Sequence, residues 1–150
     1  MPQRYYFYMT SFLISSDIYR NTHYGGKHPL NIPRVGATLD LIKAMSWYDE
    51  AKFITAPIAK PSLLKKFHSN DYVNVLIEAD EKQEIDKNQS NKYNLGTPSN
   101  PIFKGMYKRP ATSVGGSVVA AEFAFLHGRA FNLGGGLHCL LYTSDAADED

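Results

Sequence analysis

The chain has 150 residues, 43% of them hydrophobic, and its 16 basic and 15 acidic side chains leave a net charge of +1. That length allows one domain with a sizeable core, and the charge gives no electrostatic case for direct nucleic-acid binding or for an anionic membrane. A single cysteine, Cys139, excludes an intrachain disulfide, and no apolar run approaches the roughly 20 residues of a bilayer span, so a cytoplasmic protein is expected.

The first residues, Met1-Pro2-Gln3-Arg4, lack the long apolar stretch of a signal peptide. Aromatic and β-branched residues then dominate Tyr5–Ser15 and predict one or two short strands. Asp17–Pro33, with Gly25-Gly26, Pro29 and Pro33, reads as a long loop. From Gly36 onward Leu39, Ile42, Met45 and Trp47 or Tyr48 recur at helical spacing, with Asp40 and Lys43 on another face. A short strand at Phe53–Ala56 ends at Pro57, and Pro61–Phe67 reads as a brief helix with proline in its first turn. Ser69 or Asn70 can cap the next helix, which contains Tyr72, Val73, Val75, Leu76 and Ile77.

Asp80–Lys92 is polar without periodicity and reads as a surface loop, and Tyr93–Gly105 as a second loop. Ala111–His127 is a predicted helix rich in small residues. Its Gly115-Gly116 pair costs about 1 kcal/mol per glycine relative to alanine, which implies close packing against a neighbour or a strained turn. Ala130–Leu133 is the last predicted strand. Strands separated by helices make an α/β layered fold the natural expectation. Asp145, Asp148, Glu149 and Asp150 crowd the far end, so residues 1–144 carry sixteen bases against eleven acids, a mild and diffuse positive balance.

The chemistry is concentrated in Asn132-Leu133-Gly134-Gly135-Gly136-Leu137-His138. An apolar stretch ending in glycines and a histidine reads as a buried strand delivering a side chain at its carboxyl end, where parallel sheets bind ligands. A phosphate cradle is the competing reading, but the Gly-x-Gly-x-x-Gly spacing and a following helix are both missing.

Five stretches in order resemble the histone deacetylase superfamily, in particular its bacterial acetoin utilization and deacetylase-like members. They are His28-Pro29-Leu30-Asn31-Ile32-Pro33-Arg34-Val35, Phe67-His68-Ser69-Asn70-Asp71-Tyr72-Val73, Tyr93-Asn94-Leu95-Gly96-Thr97 with Asn100-Pro101-Ile102-Phe103-Lys104-Gly105-Met106, Ser113-Val114-Gly115-Gly116-Ser117-Val118, and the glycine–histidine run. The resemblance implies a three-layer arginase/deacetylase-type fold, a parallel sheet flanked by helices, truncated here after the strand leading to the active-site histidine. It implies zinc-dependent hydrolysis of an acyl-lysine or a small acylated amine, with a metal held by two aspartates and a histidine and with paired histidines handling protons.

On that resemblance His138 is the first catalytic histidine, and the second would stand at 139, where this chain has Cys139. Arg34 matches the arginine beside the family's internal product channel, a guanidinium suited to a carboxylate, and Gly135, Gly136 and Leu137 would line the same substrate and product passage. Bland alternatives stand beside these: a core histidine at a strand end for His138, a surface arginine for Arg34. His28 is read as a turn residue, His68 and Asp71 as part of a helix start, and Cys139 as no nucleophile, since no base is paired with it. Pro98 and Ser99 stand where many eukaryotic members carry an acid that holds the substrate backbone, which argues against peptide binding of that sort and leaves small acylated amines as candidates.

Residues 1–138 are therefore expected to be the N-terminal portion of a deacetylase domain. Residues 139–150 resemble translated adapter or vector sequence, a non-family acidic tail from an interrupted gene. No metal ligands are assigned in the chain. Zinc belongs to the family and is not expected at a catalytic site here, so an inactive fragment is expected. The rival is a natural non-catalytic binding module derived from the same N-terminal half.

Overall fold

The computed structural model describes residues 10–21 and 33–136. Along the chain run β1 (Thr10–Ser15), α1 (Ile18–Asn21), α2 (Arg34–Ala44), β2 (Phe53–Thr55), α3 (Pro61–Leu64), α4 (Asn70–Lys82), α5 (Lys87–Tyr93), α6 (Lys108–His127) and β3 (Gly128–Asn132). The three strands are parallel in the order β2-β1-β3, with Leu13 opposite both Phe53 and Phe131. The central strand is the apolar one: Leu13, Ile14 and Ser15 are all buried, and burying an aliphatic side chain of this size contributes about 1.5–3 kcal/mol.

Side chains alternate across a strand, so β1 looks both ways. Phe12 meets Phe123 and His127 of α6, with ring centroids 4.7 and 5.1 Å away. On the other face Phe53 is covered by Tyr48, at 5.9 Å between centroids, and by the Lys43 ammonium of α2 at 5.6 Å. Helices on both faces of a parallel sheet are what its two apolar surfaces require. A second apolar cluster of Val75, Ala79, Leu95 and Met106 lies under α4, α5 and the following loop. Asp80 ties that cluster to the start of α6 by accepting from the backbone N–H groups of Gly105, Tyr107 and Lys108 at 2.6, 3.3 and 3.4 Å.

The glycine pair in α6 is explained by close packing. A Cβ on Gly115 would sit 2.0 Å from the Pro57 carbonyl oxygen, and one on Gly116 would sit 2.9 Å from the Asn132 amide. Ala59 N also donates to Ala111 O at 3.0 Å, so the helix lies directly on the segment after β2. Pro61 opens α3, and Ser69 caps α4 by accepting from Tyr72 N at 3.2 Å.

Several expectations need correction. The polar stretch 80–92 is mostly helix: α4 runs to Lys82 and α5 covers Lys87–Tyr93. Capping replaces apolar periodicity there. Asp86 accepts from Asn88 N and Gln89 N, and Gln83 and Asn94 close the two helices at φ 58° and 53°. The loop expected from Asp17 begins instead with α1, whose Tyr19 is buried; residues 22–32, with His28 and Gly25-Gly26, lie outside the described residues. Met45 and Trp47, placed with the apolar helix face, are exposed; of that set Leu39 is the fully buried one. α6 also starts three residues earlier than expected, and β3 starts and ends earlier.

Candidate functional site

β3 ends at Asn132, and the chain turns over Leu133-Gly134. Leu133 N still donates to Ile14 O at 3.0 Å, so the turn begins at the carboxyl end of the sheet. Gly135 N then closes it onto Asn132 O at 3.2 Å, and Gly136 has φ 66°, a conformation that suits a residue without Cβ.

One side chain organises this turn. Asn132 Nδ2 donates to Ser113 O and to Ser117 Oγ, each at 3.1 Å, while its Oδ1 accepts from Gly134 N at 3.2 Å. Ser113 Oγ donates to Gly134 O, and Ser117 Oγ donates to Ser113 O at 2.9 Å. Ser113 and Ser117 are four residues apart, hence on one face of α6, and Gly116 beside them leaves room for the amide. The helix, the strand end and the glycine turn are thereby one hydrogen-bonded unit.

Tyr19 supports the turn from behind. Its side chain is only 2% exposed, and a Cβ on Gly134 would lie 2.1 Å from its Cζ and its hydroxyl. Any larger residue at 134 would require the buried Tyr19 ring to shift. The buried Arg109 guanidinium lies 5.4 Å from the Tyr19 ring centroid, and its Nη1 donates to Tyr19 O at 3.3 Å. Burial pushes the Tyr19 phenol pKa up, against the opposing pull of Arg109 and the Ser113 hydroxyl. Among the described residues the phenol makes no hydrogen bond of regular geometry, because Ser113 Oγ is turned to Gly134 O.

The structure brings Gly135 and Gly136 together at the end of β3 and places Arg34 elsewhere, at the first position of α2 with an exposed side chain. The two regions are linked through α1, since Arg20 grips Asp40 of α2 with two hydrogen bonds of 2.7 and 2.6 Å. Leu137, His138 and Cys139 lie outside the described residues. No three His, Cys, Asp or Glu side chains among the described residues come together at metal-ligating spacing. These residues do not by themselves form a zinc site. Two clefts of about 310 and 320 Å³ run along α4 and α5, and neither is lined by a residue of the glycine turn.

Ser113, Ser117 and Asn132 were visible in the sequence only as parts of motifs. Their spacing beside Gly115-Gly116 was the available signal for a helix face pressed on a strand end. Tyr19 carried no such signal, because its partner Gly134 is more than a hundred residues away.

A histone deacetylase domain matches residues 28–144. The chain belongs to the histone deacetylase family. It is 33% identical over 132 residues to the acetoin utilization protein AcuC of Bacillus subtilis, a match covering 85% of this chain and 33% of that protein. Histone deacetylase HDAC1 of Drosophila melanogaster is 35% identical over 124 residues, covering 79% of this chain and 23% of the fly protein. The crystal structure of a histone deacetylase homolog from Aquifex aeolicus superposes with a TM-score of 0.81 at 37% identity, covering 87% of this chain and 35% of that one. The parallel sheet with its flanking helices is thus part of the arginase/deacetylase-type fold, and the chain spans about a third or less of the length of these relatives. The domain match continues to residue 144, six residues into the stretch 139–150.

Proposed function

We propose that this chain supplies the N-terminal portion of a zinc-dependent deacetylase domain, acting in the whole domain on an acyl-lysine or a small acylated amine. The observation that carries this is the glycine turn at the carboxyl end of β3, clamped by Asn132, Ser113 and Tyr19, inside a stretch that matches the family. The clamp fixes where the backbone leaves the sheet. His138 is assigned the proton-transfer role, and Gly135, Gly136 and Leu137 the wall of the substrate and product passage, with Arg34 toward a departing carboxylate. Zinc is the family's cofactor. In that reading the chain on its own is expected to hold no stoichiometric zinc and to hydrolyse nothing.

The test is a chimaera in which residues 1–138 continue into the remainder of the Bacillus subtilis relative, with histidine at position 139. It should hydrolyse an acetyl-lysine reporter in a zinc-dependent manner. His138→Ala should lower kcat by about 10²–10⁴-fold, the usual contribution of positioned proton transfer. Arg34→Ala should have a smaller effect, concentrated in product release. An active chimaera indifferent to His138→Ala would remove the assignment at its most important position.

A further inference from the structure

The three strands leave the sheet in different ways. β1 and β2 pass directly into backbone hydrogen bonds. Ser16 O accepts from Tyr19 N at 3.4 Å at the start of α1, and after β2 Ala56 N donates to Ser15 O at 2.8 Å and Ala59 N to Ala111 O at 3.0 Å. After β3 the buried Gly134 has both of its polar groups taken by side chains instead. Its N–H donates to Asn132 Oδ1 at 3.2 Å, and its carbonyl accepts from Ser113 Oγ. The same amide crowds the next residue, where a Cβ on Gly135 would stand 3.1 Å from Asn132 Nδ2.

Holding α6 on the sheet does not explain this arrangement. The helix is already docked by Phe123 and His127 against Phe12, and by Gly115 against Pro57. A run of three glycines has a different requirement. Glycine has the widest choice of backbone conformations, so Gly134-Gly135-Gly136 left to itself would sample many of them. A reacting group carried on such an arm is ill placed, since productive geometry must be held to within about 0.5 Å. Side chains from β3 and α6 on both polar groups of Gly134 remove that freedom at the first glycine.

We infer that Ser113 and Asn132 are positioning residues for turnover in the whole domain, acting through Gly134, which they convert from a hinge into a rigid arm. The inference rests on the proposed function and adds to it a dependence of kcat on two side chains outside the glycine–histidine run's reacting end.

Two measurements test it. In the ¹⁵N-labelled chain 1–150 the amide order parameters of Gly134 and Gly135 are expected at about 0.85, and Ser113→Ala and Asn132→Ala should each lower them below about 0.6. In the chimaera with the Bacillus subtilis relative, each substitution should lower kcat per folded, zinc-loaded molecule by about ten- to a hundredfold, the scale of a 1 Å misplacement. KM should change by less than about twofold. Val75→Ala, in the apolar cluster under α4, removes stability without reaching the turn and should keep kcat per folded molecule.

Order parameters that the two substitutions leave unchanged overturn the inference, whatever the chimaera does. So does a kcat per folded molecule that they leave unchanged, or that Val75→Ala lowers equally, because the loss would then be one of stability alone. A raised KM at constant kcat would assign the two side chains to substrate binding and overturn it as well. A chimaera inactive in every form sinks the proposed function and the role in turnover with it, a pattern distinct from all of these.

Discussion

Replacing Gly115 by alanine tests whether α6 rests on backbone. In an ordinary exposed helix interior the change would stabilise by about 1 kcal/mol, because glycine is the poorer helix former. Here the added Cβ would lie 2.0 Å from the Pro57 carbonyl oxygen and 3.0 Å from Ala59 N. A close C···O contact is about 3.3 Å, so the helix or the segment after β2 must move by roughly 1 Å. Pro57 O belongs to the main chain and cannot rotate away as a side chain would. Overpacking of this kind costs about 1–3 kcal/mol, and loss of the Ala59 N–Ala111 O hydrogen bond adds about 1 kcal/mol. After the helix-propensity gain, Gly115→Ala should destabilise by about 1–3 kcal/mol, read as a lowered urea midpoint at unchanged slope. A midpoint equal to or above that of the wild type would show that α6 does not lie against Pro57 and would refute the packing argument.

Asn132→Asp keeps an acceptor for Gly134 N but loses both N–H donors and sets a carboxylate against the Ser113 carbonyl, so it should destabilise by about 1–3 kcal/mol; equal stability in urea titrations would mean the amide is not the clamp. Burial raises the pKa values of Tyr19, Tyr72 and Tyr107 above their ordinary value of 10.0. The folded chain therefore holds those protons more tightly than the unfolded one, and stability should be level below about pH 10 and fall above it. Urea midpoints measured from pH 8 to 11 check this, and Tyr19→Phe should flatten the fall; a stability that rises through that range would contradict the sign.

Local chemistry in the sequence was sufficient for much of this molecule. Proline at 61, serine at 69 and the apolar run around Leu13 each act within a few residues, and each produced the element expected of it. The five motif stretches likewise carried the family, because they are written in residue types. Asp86 and Asn94 show the limit within local structure: a polar segment became helix through its caps, which an apolar count does not register.

Tertiary structure alone decided the rest. Gly115, Gly116 and Gly134 are required by Pro57 O, Asn132 and Tyr19, partners set by how a helix crosses a sheet. The same holds for Asn132, whose amide has meaning only once Ser113 and Ser117 of α6 are beside it. The strand order also lay beyond the sequence, since two short parallel strands can flank β1 on either side with equal propensity. It is the order β2-β1-β3 that puts Phe131 on an outer strand among the described residues, because which strand ends a sheet depends on long-range pairing and helix packing.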